Sequence, residues 1–144
     1  MIKKLHIKNF KSIKELDLNC ARVNVFIGEP NTGKSNILEA IGIYCLPNMT
    51  NFWQIQQLIR IERNYNIFYN EDTSEKIEIN LTLDNSEIYL LTWEYYNGHA
   101  FAECINESKN ASIMRFDISI DLHFEKSHFS DKMNLPVKFY KFAS

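Results

Sequence analysis

Gly28-Glu29-Pro30-Asn31-Thr32-Gly33-Lys34-Ser35 is the stretch on which the reading of this chain turns. It satisfies G-x-x-x-x-G-K-[ST] at every fixed position. Each fixed residue answers a physical demand of holding a phosphate chain. Gly28 and Gly33 remove side chains where phosphate must approach the backbone and permit unusual dihedrals. The loop amides and the first amides of a following helix point at the anion. Lys34 supplies a point charge for the β- and γ-oxygens, and the Ser35 hydroxyl is a hard ligand suited to Mg²⁺. At ordinary residue frequencies such a match arises in roughly half a percent of chains of this length.

The motif requires a strand before it and a helix after it, and the flanks supply both patterns. Val23-Asn-Val-Phe-Ile27 is a nearly continuous apolar run, which predicts a central strand buried on both faces. From Lys34 to Leu46 the residues Ile37, Leu38, Ala40, Ile41, Tyr44 and Cys45 recur at helical spacing, and Pro47-Asn48 stops the helix. Upstream, Ile2, Leu5, Ile7 and Phe10, then Ile13, Leu16 and Leu18, predict two further strands. Downstream, a short helix is expected from Thr50 or Asn51, with Phe52, Ile55, Leu58 and Ile59 on one face. Residues 62–76 are polar without a clean period and read as a loop.

Beyond residue 76 the period changes to two. Ile77, Ile79, Leu81 and Leu83 alternate with polar residues, Glu87–Tyr96 and His99–Ile105 flank an Asn97-Gly98 hairpin turn, and Met114, Phe116, Ile118, Ile120, Leu122 and Phe124 share one face of a half-wet strand. A last strand is expected over Val137–Phe142. The organisation is one domain over 1–144: strands, loop and helix in 1–47, a helix and loop in 48–76, and an antiparallel β subdomain in 77–144.

Composition sets the outer limits. The 144 residues are 45% apolar and 13% aromatic, which suits a folded globular chain with one core. The net charge of −2 gives no support for polyanion binding, although Lys3, Lys4, Lys8, Lys11 and Lys14 all precede the first acid, Glu15. Cys20, Cys45 and Cys104 form no CxxC, and His6, His99, His123 and His128 form no metal-ligand spacing. No signal-type leader and no apolar run of about 20 residues is present, so a soluble, cytoplasmic protein with no membrane contact is expected.

Two families could own the loop. Pro30-Asn31 before Gly33-Lys34-Ser35 resembles translation-factor-class GTPases. Those need D-x-x-G and N-K-x-D, yet neither Gly42 nor Gly98 has Asp three residues earlier, and no Asn is followed by Lys. The flanks favour the other family. Ile7-Lys-Asn-Phe-Lys-Ser-Ile13, Val25-Phe-Ile-Gly28 and Gly33-Lys-Ser-Asn-Ile-Leu-Glu-Ala-Ile41 closely resemble the opening of the RecF/SMC/OLD-like ABC-type ATPases, a group of AAA ATPases. The resemblance covers about the first 43 residues and implies an α/β (α+β) P-loop NTPase fold, this chain being the N-terminal half of an ABC-type head. It further implies ATP and Mg²⁺ as ligands, with Gly28, Glu29, Pro30, Asn31, Thr32, Gly33, Lys34, Ser35 and Asn36 around the nucleotide, Ser35 on the metal and Lys11 near the phosphates. A second ATPase head, as a homodimer, and DNA are the implied partners of the parent protein, in repair or phage defence. The loop departs from the family pattern by Glu29 after the first glycine and by Thr32 before Gly33.

The hydrolytic half of such a site has no match. Ile113-Met-Arg-Phe-Asp117 falls short of an apolar strand ending in Asp-Glu, because Arg115 interrupts it and no Glu follows. No L-S-x-G stretch occurs. Gln54, Gln56 and Gln57 read as surface residues of an amphipathic helix, not as a metal-sensing glutamine segment. The expectation is an ATP-binding fragment without turnover of its own. The alternatives are a non-hydrolysing regulatory module and, further off, a GTPase.

Overall fold

In the computed structural model the described residues are 1–48 and 56–129. Seven strands form one sheet: β1 (Ile2–Phe10), β2 (Ile13–Asn19), β3 (Ile77–Leu83), β4 (Ile88–Tyr96), β5 (His99–Asn106), β6 (Ala111–Ser119) and β7 (Phe124–Phe129). Their order is β2-β1-β3-β4-β5-β6-β7, and every neighbouring pair is antiparallel. The helix α1 (Lys34–Gly42) lies between β2 and β3 in the chain.

The period-two pattern explains the register. Leu5 sits opposite Leu81 and Ile7 opposite Ile79; Ile79 faces Leu91, Leu91 faces Cys104, and Cys104 faces Met114. Each pairing keeps the apolar set on one face, since a one-residue slip would turn it to solvent. Ala40, Ile43, Tyr44 and Leu46 belong to the same core, together with Leu58, Ile59, Ile67 and Phe68. Buried Tyr44 donates its hydroxyl to the Ile79 carbonyl at 2.5 Å, tying the helix tail to β3. At the β4–β5 turn Asn97 and Gly98 take φ of 49° and 80°, the backbone twist a two-residue hairpin wants.

Several expectations are corrected. Val23–Ile27 is not a strand: Val23, Val25 and Ile27 are 76%, 74% and 90% exposed. An apolar run signals a demand for burial, and among the described residues no strand pairs with it to meet that demand. The helix predicted to Leu46 ends as α-helix at Gly42 and continues as a 3₁₀ stretch, Ile43–Asn48. Tightening of the last turn is a common way to use terminal carbonyls, and Pro47 has no N–H to continue an α-helix.

Residues 62–76 are more than a polar loop. Two 3₁₀ turns, Asn64–Ile67 and Tyr69–Glu71, deliver buried Asn64, Ile67 and Phe68 to the core, and Asn64 Nδ2 donates to the carbonyls of Gly98 and Ile118. The long alternation from Met114 to Phe124 is a hairpin, not one strand. β6 ends at Ser119, Ile120 is 45% exposed, Leu122 turns at φ 60°, and β7 returns beside β6. Of the short helix expected from Thr50, Phe52, Gln54 and Ile55 lie outside the described residues; 56–58 are helical, Gln56 and Gln57 are exposed, and Leu58 and Ile59 are buried. Val137–Phe142 also lies outside them. No helix among the described residues is long and apolar enough to cross a membrane.

Candidate phosphate-binding site

The site is built on the β1–β2 turn and on the start of α1. Asn9 and Lys11 adopt positive φ, 57° and 51°, on either side of fully buried Phe10. The turn is held in place by three contacts. Asn9 Nδ2 donates to the Glu75 carbonyl at 2.7 Å, Lys11 N–H donates to the Ile67 carbonyl at 2.8 Å, and Phe10 forms a β-bridge with Phe68.

This turn presents Ser12 to the first residues of α1. Asn36 Nδ2 donates to Ser12 Oγ at 2.7 Å. Gly33 stands at the helix N-cap with φ 86°, and a Cβ there would lie 2.6 Å from Ser12 Oγ. Glycine is therefore required twice, for its dihedral and for its missing carbon. No side chain caps α1, and no acidic residue occupies its first turn. Its first amides thus lie without a side-chain acceptor at the positive end of the helix dipole, where an anion is stabilised.

The loop curls around the Lys34 ammonium. Nζ donates to the Gly28 carbonyl at 2.9 Å, to Thr32 Oγ1 at 3.0 Å and to the Glu29 carbonyl. Thr32 Oγ1 also donates to the Glu29 carbonyl at 2.8 Å, and Asn31 turns the chain at φ 62°. The two residues that depart from the family pattern, Glu29 and Thr32, are thus joined to each other.

Beside the loop lies a cavity of about 220 Å³, lined by Ser12, Asn31, Thr32, Gly33, Lys34, Ser35, Asn36 and Arg60. The volume is below the roughly 300 Å³ at which whole small-molecule clefts begin and suits a phosphate chain. Its donor set of hydroxyl, amide and cationic groups fits a phosphate with a hard divalent cation, for which the Ser35 hydroxyl is the motif's ligand.

Six of the expected residues, Asn31 to Asn36, line this cavity, while Gly28 and Glu29 supply carbonyls to Lys34 and Pro30 lies in the intervening turn. Lys11 is not on the cavity wall. Its ammonium binds Glu39 Oε2 and donates to the Arg60 carbonyl at 2.6 Å. Burial pulls the Lys11 pKa below its ordinary value, against the opposing pull of Glu39. Arg60 reaches the same carboxylate, with Nε 2.9 Å from Glu39 Oε1.

Ser12 and Arg60 are the lining residues that sequence reasoning did not assign. Ser12 lies inside the quoted Ile7–Ile13 stretch. The one visible signal for Arg60 is a charge among Leu58, Ile59 and Ile61. Cross-strand pairing likewise hides a cluster of His6, Glu15 and Asp17, whose ligand atoms lie within 4.8 Å of one another on an open part of the sheet. His6 Nδ1 is 2.8 Å from Asp17 Oδ1, an exposed ion-pair geometry.

The chain is 38% identical over 96 residues to an ATP/GTP phosphatase of Helicobacter pylori, covering 60% of this chain and 26% of that protein. It is 27% identical over 144 residues to an uncharacterised protein of Methanocaldococcus jannaschii, covering 93% and 59%. With the OLD nuclease of Thermus scotoductus it shares 31% identity over 84 residues, 58% of this chain and 15% of that one. The chain thus spans about one seventh to three fifths of the length of these relatives. The sequence profile of the AAA ATPase domain matches residues 1–143, and the chain belongs to that family.

Proposed function

We propose that this chain is the ATP·Mg²⁺-binding N-terminal segment of an ABC-type ATPase with the P-loop NTPase fold. The observation that carries the reading is the uncapped start of α1, wrapped by Gly28–Ser35 and opening on a cavity lined by hydroxyl, amide and cationic side chains. Loop amides and Lys34 would hold the β- and γ-phosphates, and Ser35 would ligate the metal. Mg²⁺, when bound, neutralises charge between those phosphates. The ATP/GTP phosphatase named among the relatives supports triphosphate chemistry.

The nuclease among the relatives supports a DNA-linked role for the parent protein, in repair or phage defence, with a second head completing the site. Hydrolysis is assigned to that assembled parent. Among the described residues, no carboxylate lines the cavity to polarise an attacking water. The test is equilibrium titration of fluorescent ATP with Mg²⁺ into the chain. Lys34→Ala is expected to remove binding, and phosphate release by the wild-type chain is expected to stay at background. Binding that survives Lys34→Ala would defeat the loop reading, while robust turnover would defeat the assignment of hydrolysis to the parent.

A further inference from the structure

Two cations stand on the wall of the cavity, and one of them lies outside the loop. Lys34 is turned toward the loop carbonyls. Arg60 comes from Leu58-Ile59-Arg60-Ile61, in which the three aliphatic residues are buried and the arginine side chain is 66% exposed. Burial of its neighbours fixes the backbone of Arg60 relative to α1.

The guanidinium is then held from behind. Its Nε donates to Oε1 of Glu39, a residue of α1 whose side chain is only 6% exposed. The other carboxylate oxygen binds Lys11, and Lys11 also donates to the backbone carbonyl of Arg60. One carboxylate facing two cations leaves a surplus positive charge. A guanidinium offers a fork of donors, of which this contact uses Nε–H. No acidic residue on the cavity wall neutralises it.

A pre-oriented guanidinium lining the same cavity as an uncapped helix start suits an anion carrying more charge than the loop compensates. We infer that Arg60 is a second phosphate-binding residue, contacting the terminal phosphate of a nucleoside triphosphate held by Gly28–Ser35, with Glu39 and Lys11 as its positioning residues. The inference rests on the reading of that loop as a triphosphate site. A diphosphate lacks the γ-phosphate that Arg60 would meet, so preference for ATP over ADP resides in this arginine.

The test is the ratio of ATP to ADP affinities, measured with fluorescent analogues and Mg²⁺ on the full 144-residue chain. Arg60→Ala should weaken ATP about ten- to hundredfold and ADP less than about threefold, as expected for losing a charged hydrogen bond to one group. Arg60→Lys should fall between, since it keeps the charge and loses the fork. Glu39→Gln should lower the same ratio, which a merely structural effect on both nucleotides would not. If Arg60→Ala does not fold, Arg60→Lys decides by the same ratio. A wild-type ratio in the arginine variants, or equal losses for both nucleotides, overturns the inference while Lys34→Ala still tests the loop. If the wild-type chain binds neither nucleotide, the loop reading fails and this inference fails with it.

Discussion

Gly33 works under two constraints that separate in experiment. A φ of 86° costs an L-residue about 1–2 kcal/mol, whatever the space around it. A Cβ would also sit 2.6 Å from Ser12 Oγ, inside van der Waals contact. Gly33→Ala is therefore expected to lower unfolding free energy by about 1–3 kcal/mol and to weaken nucleotide binding. Removing the hydroxyl with Ser12→Ala relieves the contact but not the dihedral, so the double variant should recover only part of the loss. Urea unfolding of the four proteins measures this coupling; simple additivity would show that the contact does not matter. The cysteines offer a second test at this scale. Burial pushes the Cys104 thiol up to about 12, leaving almost no thiolate at neutral pH, while Cys20 is half-buried just past the end of β2. In the native protein a thiol-specific reagent should modify Cys20 well before Cys104, and equal rates would contradict the packing.

At the scale of elements, the junction of α1 with its 3₁₀ tail carries the sharpest packing claim. Gly42 closes the α-helix, and a Cβ there would lie 2.5 Å from Leu58 Cδ1 and 3.1 Å from Cγ. Helix propensity favours alanine over glycine by about 1 kcal/mol, whereas overpacking a core contact costs about 1–3 kcal/mol. Packing should win, so Gly42→Ala is expected to destabilise. In a Leu58→Ala background the same change should stabilise, because only the propensity gain remains; thermal melts of the four proteins would show whether the sign reverses. The elements also show what sequence patterns can carry. Period two predicted β3, β4 and β5 with close bounds, since one buried face dictates alternation. It merged β6 with β7 because the apolar spacing ran on through the turn at Leu122, and nothing in a side-chain pattern marks a reversal made by a non-glycine residue. Val23–Ile27 shows the converse limit: apolarity states a need for a partner but does not provide one.

Across the whole molecule, the packed core and the candidate loop lie in different places. One sheet runs continuously from β1 through β3 to β7, so residues from early and late in the described chain, Leu5 and Ile118 among them, share one core. The loop contributes little to it: Gly28 to Thr32 are exposed, and the Lys34 ammonium bonds to loop atoms of Gly28, Glu29 and Thr32. This division also explains what could be read beforehand. That Asn31 to Asn36 share one cavity wall could be expected because a contiguous loop makes its own geometry, whereas Arg60 reaches the cavity only because Leu58, Ile59 and Ile61 are buried against a sheet that forms from residues far along the chain. The last expectation follows from the same separation. Wild-type chain should unfold in one cooperative transition, and Lys34→Ala should melt at nearly the same temperature without nucleotide. A ligand that binds only the folded state at a hundredfold excess over its Kd stabilises by about 2.7 kcal/mol. ATP·Mg²⁺ should therefore raise the wild-type melting temperature by several degrees and leave Lys34→Ala unmoved. Scanning calorimetry with and without nucleotide checks both halves. A Lys34→Ala variant already unfolded would mean that the loop is part of the folding core, and a shift shared by both proteins would mean that the nucleotide binds elsewhere.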